Sequence, residues 1–71
     1  MESDLRDLRV GRVLTQGEVA NAVGINPATY NRIEQGKQMP RDPLIRKLAE
    51  FFHVDPVALR ENLMTHEVGL Q

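Results

Sequence analysis

The chain has 71 residues, nine Lys and Arg against ten Asp and Glu, a formal net charge of −1, and no cysteine. That length holds one domain, and the missing cysteines exclude disulfides, a thiolate nucleophile and Cys-ligated zinc. No apolar run approaches the ~18 residues of a membrane span, and Met1-Glu2-Ser3-Asp4 lacks the apolar core of a secretory signal, so a small soluble cytoplasmic protein is expected.

Helix signals occur in five places and strand signals nowhere; no segment alternates apolar and polar residues. Ser3 is suited to cap the first helix, with Asp4 and Asp7 near its positive end. Leu5 and Leu8 are spaced i, i+3, and Gly11 weakens the end, from which Val13 and Leu14 lead out. Thr15 caps a second helix over 16–23, where Val19, Ala20 and Val23 share a face. Gly24 follows as its left-handed C-terminal stop.

Asn26-Pro27 is the next cap pair and opens a third helix, from 27 to about 35. Tyr30 and Ile33 point inward; Ala28, Asn31, Arg32 and Gln35 point elsewhere; Gly36 stops it. Asp42-Pro43 repeats the cap logic and opens a fourth helix, with Leu44, Ile45, Leu48, Ala49 and Phe52 as a core stripe. His53 takes the capping position at its end. Asp55-Pro56 opens a fifth, with Val57, Leu59 and Leu63 inward. The fold expected is all-α, a compact five-helix bundle forming one domain over 1–71. Its packed part is about 3–63, and a tail, 65–71, is expected to fray or to join a dimer contact.

Two short helices joined by the turn Gly24-Ile25-Asn26 have the geometry of a helix-turn-helix. Ala20 and Gly24 would let the two helices cross closely, over a wedge of Val19, Val23, Ile25, Tyr30 and Ile33. The second of the pair carries a polar, Arg-bearing face of the right size for the major groove of DNA.

Further elements extend the pattern: Leu5, Leu8 and Arg9; Leu14-Thr15-Gln16; Val19-Ala20; Val23-Gly24-Ile25; Tyr30, Ile33-Glu34, Gly36-Lys37 and Pro40; Leu44, Leu48-Ala49, Val54 and Leu59. As a set these resemble the phage-repressor and Cro-like (XRE) helix-turn-helix family, over about residues 3–63. The resemblance implies a lambda-repressor-like bundle that binds double-stranded DNA and serves as a transcriptional repressor or regulator.

It also implies residue roles. Gln16 matches the position whose side chain and backbone N–H meet a phosphate, where the helix N-terminus adds positive potential. Pro27, Ala28, Thr29, Asn31 and Arg32 face the bases. Arg32 can bind guanine O6 and N7 bidentately, Asn31 can pair with adenine, and Thr29 or Ala28 can pack on a thymine methyl. Arg32 otherwise clamps a phosphate or stays solvated. Asn26, Lys37 and Arg41 are expected on phosphates. Arg9 and Glu34 match a structural ion pair that fixes the recognition helix. Two residues depart from the family pattern: Pro27 offers no donor at the helix tip, and Gly17 replaces a helix former.

Net charge speaks mildly against nucleic acid, but the charge is polarised. Residues 1–47 carry eight Lys and Arg against six acids; residues 48–71 carry Arg60 against four acids. His53 and His66 have no Cys or carboxylate at ligand spacing, so no metal site or cofactor is expected. No catalytic arrangement points to an enzyme.

A reader this small needs two copies on a near-palindromic site. The expected dimer surface is Leu59, Leu63 and Met64, with Val68 and Leu70. The alternative is a protein-binding helix-turn-helix module, or an antitoxin that binds a partner protein. The chain could also be the reader domain of a longer regulator. A bacterial or phage gene is the expected source.

Overall fold

Capping side chains set where the helices begin. The computed structural model describes residues 4–68, with side chains as far as Thr65. Its helices are α1 (Asp4–Gly11), α2 (Gln16–Val23), α3 (Pro27–Glu34), α4 (Asp42–Phe52) and α5 (Pro56–Val68), and no strand occurs among the described residues. The Ser3 cap lies outside them; the backbone N–H of Asp4 instead donates to Asn62 Oδ1 of α5 at 3.1 Å.

Thr15 and Glu18 form a capping box: Thr15 Oγ1 accepts the Glu18 N–H at 3.1 Å and Glu18 Oε1 accepts the Thr15 N–H at 2.8 Å. Asn26 Oδ1 accepts the Ala28 N–H at 2.7 Å, and Asp55 Oδ2 accepts the Ala58 N–H at 2.9 Å. The fourth start differs from expectation. Its N-cap is Arg41, with no side-chain cap bond, and Asp42 is already helical. Asp42 still lies against the positive end of the helix dipole.

Four of the helix exits share one motif. Val13, Gly24, Gly36 and His53 are all left-handed, with φ of 56°, 78°, 78° and 59°. After each, the next residue donates back into the last turn: Leu14 to Arg9, Ile25 to Ala20, Lys37 to Arg32 and Val54 to Ala49. This is the Schellman motif, whose last residue is commonly apolar and packs back on the helix. Leu14, Ile25 and Val54 do pack on the core. Lys37, at the equivalent position after α3, is exposed.

The core is built from α1 Leu5, α2 Val19, Ala20 and Val23, α3 Tyr30 and Ile33, α4 Ile45, Leu48, Ala49 and Phe52, and α5 Leu59 and Leu63. Val57, expected inward, is 54% exposed. Two residues along a helix turn the chain by about 200°, so Val57 and Leu59 cannot share a face. Leu59 and Leu63, four apart, take the inner one. They are therefore lost to the dimer surface expected there. Met64 is exposed; Val68's side chain and Leu70 lie outside the described residues. The last helix runs beyond Thr65, to Val68, into the stretch expected to fray or to join a dimer contact; Thr65 Oγ1 donates to the Glu61 carbonyl at 2.9 Å. Residues 69–71 of that tail lie outside the described ones.

Arg12 ties α1 to the end of α4. It donates to the Leu8 and Phe52 carbonyls, both at 2.9 Å, and its guanidinium stacks over the Phe52 ring at 5.3 Å.

Candidate nucleic-acid interface

The sequence of α3 divides it into two faces. Tyr30, Ile33 and Glu34 are buried. Pro27, Ala28 and Arg32 are exposed, and Thr29 and Asn31 are half-buried beside them. All five residues expected to read bases thus share one surface. Gly24 in the preceding turn is required by its left-handed backbone. A Cβ there would meet nothing within 4 Å, so close helix crossing is not its reason, contrary to expectation.

The buried face carries a charge. Glu34 is 1% exposed and accepts from Arg9 Nε at 2.6 Å and Arg9 Nη2 at 3.2 Å. Arg9 Nη1 also donates to the Leu14 carbonyl at 2.9 Å, so α1, the loop after it and α3 meet at one guanidinium. Such a forked pair fixes direction as well as distance. Burial alone would raise the Glu34 pKa, but the Arg9 hydrogen bond, the adjacent Tyr30 hydroxyl, the Gln16 hydrogen bond and the Arg9 charge outweigh it and hold the carboxyl below its ordinary value. The Tyr30 hydroxyl is buried without a hydrogen-bond partner of good geometry. Burial, and then the neighbouring Glu34 carboxylate, raise its pKa strongly.

A second arm leaves the carboxylate. Gln16 Nε2 donates to Glu34 Oε1 at 3.1 Å, and Asn31 Nδ2 donates to Gln16 Oε1 at 3.2 Å. A carboxylate only accepts, so Glu34 sets the order of the row. The Gln16 side chain, expected on a phosphate, is thus engaged inside the domain; its backbone N–H at the start of α2 remains for an anion. One Asn31 N–H is used, and its side-chain carbonyl and second N–H make no hydrogen bond among the described residues.

Arg32 is held differently. Its Nε donates to Gln38 Oε1 at 3.1 Å and its Nη2 to Thr29 Oγ1 at 3.3 Å. Lys37 and Arg41 are exposed in the loop after α3, and Asn26, exposed too, spends its Oδ1 on the helix cap.

The sequence model for the helix-turn-helix domain matches residues 4–63. The chain belongs to the helix-turn-helix domain family. Over 56 residues, 79% of this chain, it is 48% identical to the cryptic phage CTXphi transcriptional repressor RstR of Vibrio cholerae. It spans 50% of that relative's length. No solved structure matches the chain.

Within this helix-turn-helix domain, α2, the turn and α3 form the named unit, with α1 clamped to it through Arg9. Sequence reasoning missed Gln38 and the Gln16–Asn31 contact. Thr29 and Arg32 are visible as an i, i+3 pair, but nothing in helical spacing reaches Gln38 in the loop. Among the described residues no helix is long and apolar enough to cross a membrane, and no three His or carboxylate side chains form a metal-binding group.

Proposed function

We propose that this helix-turn-helix domain binds double-stranded DNA sequence-specifically and acts as a transcriptional repressor, with α3 in the major groove. One observation carries this reading. The exposed face of α3 carries Thr29, Asn31 and Arg32 beside the small, donor-free Pro27 and Ala28, while its buried face is locked to the bundle by Glu34. A rigid, solvent-facing helix is what direct readout requires.

In this reading Arg32 and Asn31 hydrogen-bond to base edges, and Ala28 and Thr29 lie against them. Pro27 brings shape but no donor. Lys37, Arg41, Asn26 and the backbone N–H of Gln16 hold phosphates on either side and set the register. Glu34 stays away from DNA, where a carboxylate would be repelled. The domain works by binding alone, without catalysis or cofactor, in the cytoplasm of a bacterium.

Two copies bind one site, with half-sites ~34 Å apart. With Leu59 and Leu63 in the core, Val57 and Met64 are the large apolar side chains exposed among the described residues of α5, seven residues apart on one face. Similarity to a protein named a transcriptional repressor supports this role.

The test is fluorescence anisotropy with enrichment from a pool of random duplexes, at two salt concentrations. A two-fold-symmetric motif with half-sites one turn apart is expected. Weak binding that vanishes by about 200 mM salt, with no enriched motif, would favour a protein-binding module instead. The net charge of −1 and the acidic C-terminal third are what that second reading stands on.

A further inference from the structure

We infer that Gln38 and Thr29 are positioning residues that decide which edge of Arg32 meets a base; this rests on the DNA-reading role proposed above. A guanidinium carries five N–H groups in a fixed plane. Two of them define one side of the fork: the Nε–H and the Nη2–H beside it. Here the Nε–H is taken by Gln38 Oε1 at 3.1 Å and one of the two Nη2–H by Thr29 Oγ1 at 3.3 Å, so the Nε side cannot present its full fork. The Nη1–Nη2 end keeps an N–H free on each nitrogen. Those two parallel donors match the O6 and N7 acceptors of guanine.

The clamp is built from unlike parts. Thr29 lies one turn before Arg32 on the same helix. Gln38 arrives from the loop, which Gly36 turns back along α3 with its left-handed backbone. The loop is anchored at once, because Met39 packs on the core and Pro40 is buried. Arg32 itself is exposed. Without the clamp its long side chain would sample many rotamers and lose that freedom only on binding. Ordering it beforehand removes part of that cost for the guanine contact alone. A phosphate contact tolerates many guanidinium poses, so nonspecific binding gains little.

The experiment uses the duplex enriched from the random pool by the wild-type protein. Each guanine is replaced in turn by 7-deazaguanine, which lacks the N7 acceptor, and the loss of affinity is measured. One position should show a loss that Arg32→Ala abolishes. Gln38→Ala and Thr29→Val should each shrink that loss by about two- to tenfold, and Gln38→Ala should do so while leaving affinity for random duplex and Tm unchanged. Thr29→Val keeps the methyl and removes only the hydroxyl acceptor. Gln38→Glu should restore the discrimination, although its charge weakens binding to every duplex. If Arg32→Ala abolishes the loss but Gln38→Ala and Thr29→Val keep it whole, the clamp is overturned and the Arg32 reading stands. If Arg32→Ala changes nothing, or no duplex is enriched, the reading fails and the clamp fails with it.

Discussion

Arg9 and Glu34, 25 residues apart in the chain, meet through a fork of two hydrogen bonds at 2.6 and 3.2 Å. The carboxylate is buried, so its charge is tolerated only while the guanidinium faces it. Its carboxyl titrates below the ordinary range despite burial, because Arg9, and after it the Tyr30 hydroxyl and Gln16, favour the ionised form. A depressed carboxylate adds stability above its unfolded pKa of ~4.3, and that stability is lost as pH falls through the folded value.

Glu34→Gln is therefore expected to lower stability at pH 7 by ~3 kcal/mol, since it leaves Arg9 without a charge partner. The gap between wild type and variant should narrow as pH falls below ~4.3, where the unfolded chain takes up the proton first, and close once pH passes the lower folded value of Glu34. Thermal melts followed by circular dichroism from pH 7 to 2 measure it. A gap that stays constant to pH 2 would show that the charge of Glu34 contributes nothing.

Val13→Gly is expected to stabilise the domain. Val13 is 90% exposed at φ 56°, so it gives up strain and almost no packing. The left-handed backbone costs an L-residue ~1–2 kcal/mol, more for a β-branched one, while glycine adds ~0.5–1 kcal/mol of unfolded-state freedom. The difference favours glycine by ~0.5–1 kcal/mol, a rise of a few degrees in Tm. A fall in Tm would mean that Val13 does not hold this conformation in solution.

Gly17→Ala separates two explanations of a glycine inside α2. A Cβ there would meet only Thr15 Oγ1, at 3.9 Å, so packing within the chain does not require glycine. Alanine should add up to ~1 kcal/mol of helix propensity. If the DNA backbone passes this point, affinity for all duplexes should drop as Tm rises. Unchanged affinity would leave Gly17 without a role at the interface.

Arg32→Ala and Lys37→Ala should fail in different ways. The first should cost ~1–3 kcal/mol on the enriched site and little on random duplex. The second should weaken both alike and flatten the salt dependence by about one unit. Binding isotherms at four salt concentrations distinguish them, and identical losses for the two variants would remove Arg32 from the base-reading set.

Much of the fold was legible because this chain marks its helix ends with local chemistry. Thr15, Asn26-Pro27 and Asp55-Pro56 announced three starts, and Gly24 and Gly36 two exits. The exit at Val13 carried no such sign, because valine gives no hint of a left-handed backbone. Asp42-Pro43 looked like a cap pair and is one residue too late. By sequence Val57 reads as inward, and Leu59 and Leu63 suit both a core and a dimer. One stripe of one helix can serve only one of these, and only packing decides which. The Arg9–Glu34 pair came from family likeness, since no spacing rule joins residues on α1 and α3. The same holds for Arg12 on Phe52 and Gln38 on Arg32: their partners are set by how the loops return.

The two faces of α3 share one helix but almost no duties. Tyr30, Ile33 and Glu34 hold it to the bundle; Pro27, Ala28, Thr29, Asn31 and Arg32 contribute little to the core. Substitutions on the outer face can therefore accumulate without drawing on the modest stability that a 71-residue chain possesses. A lineage of such domains can diverge in what it recognises while inheriting the same scaffold unchanged.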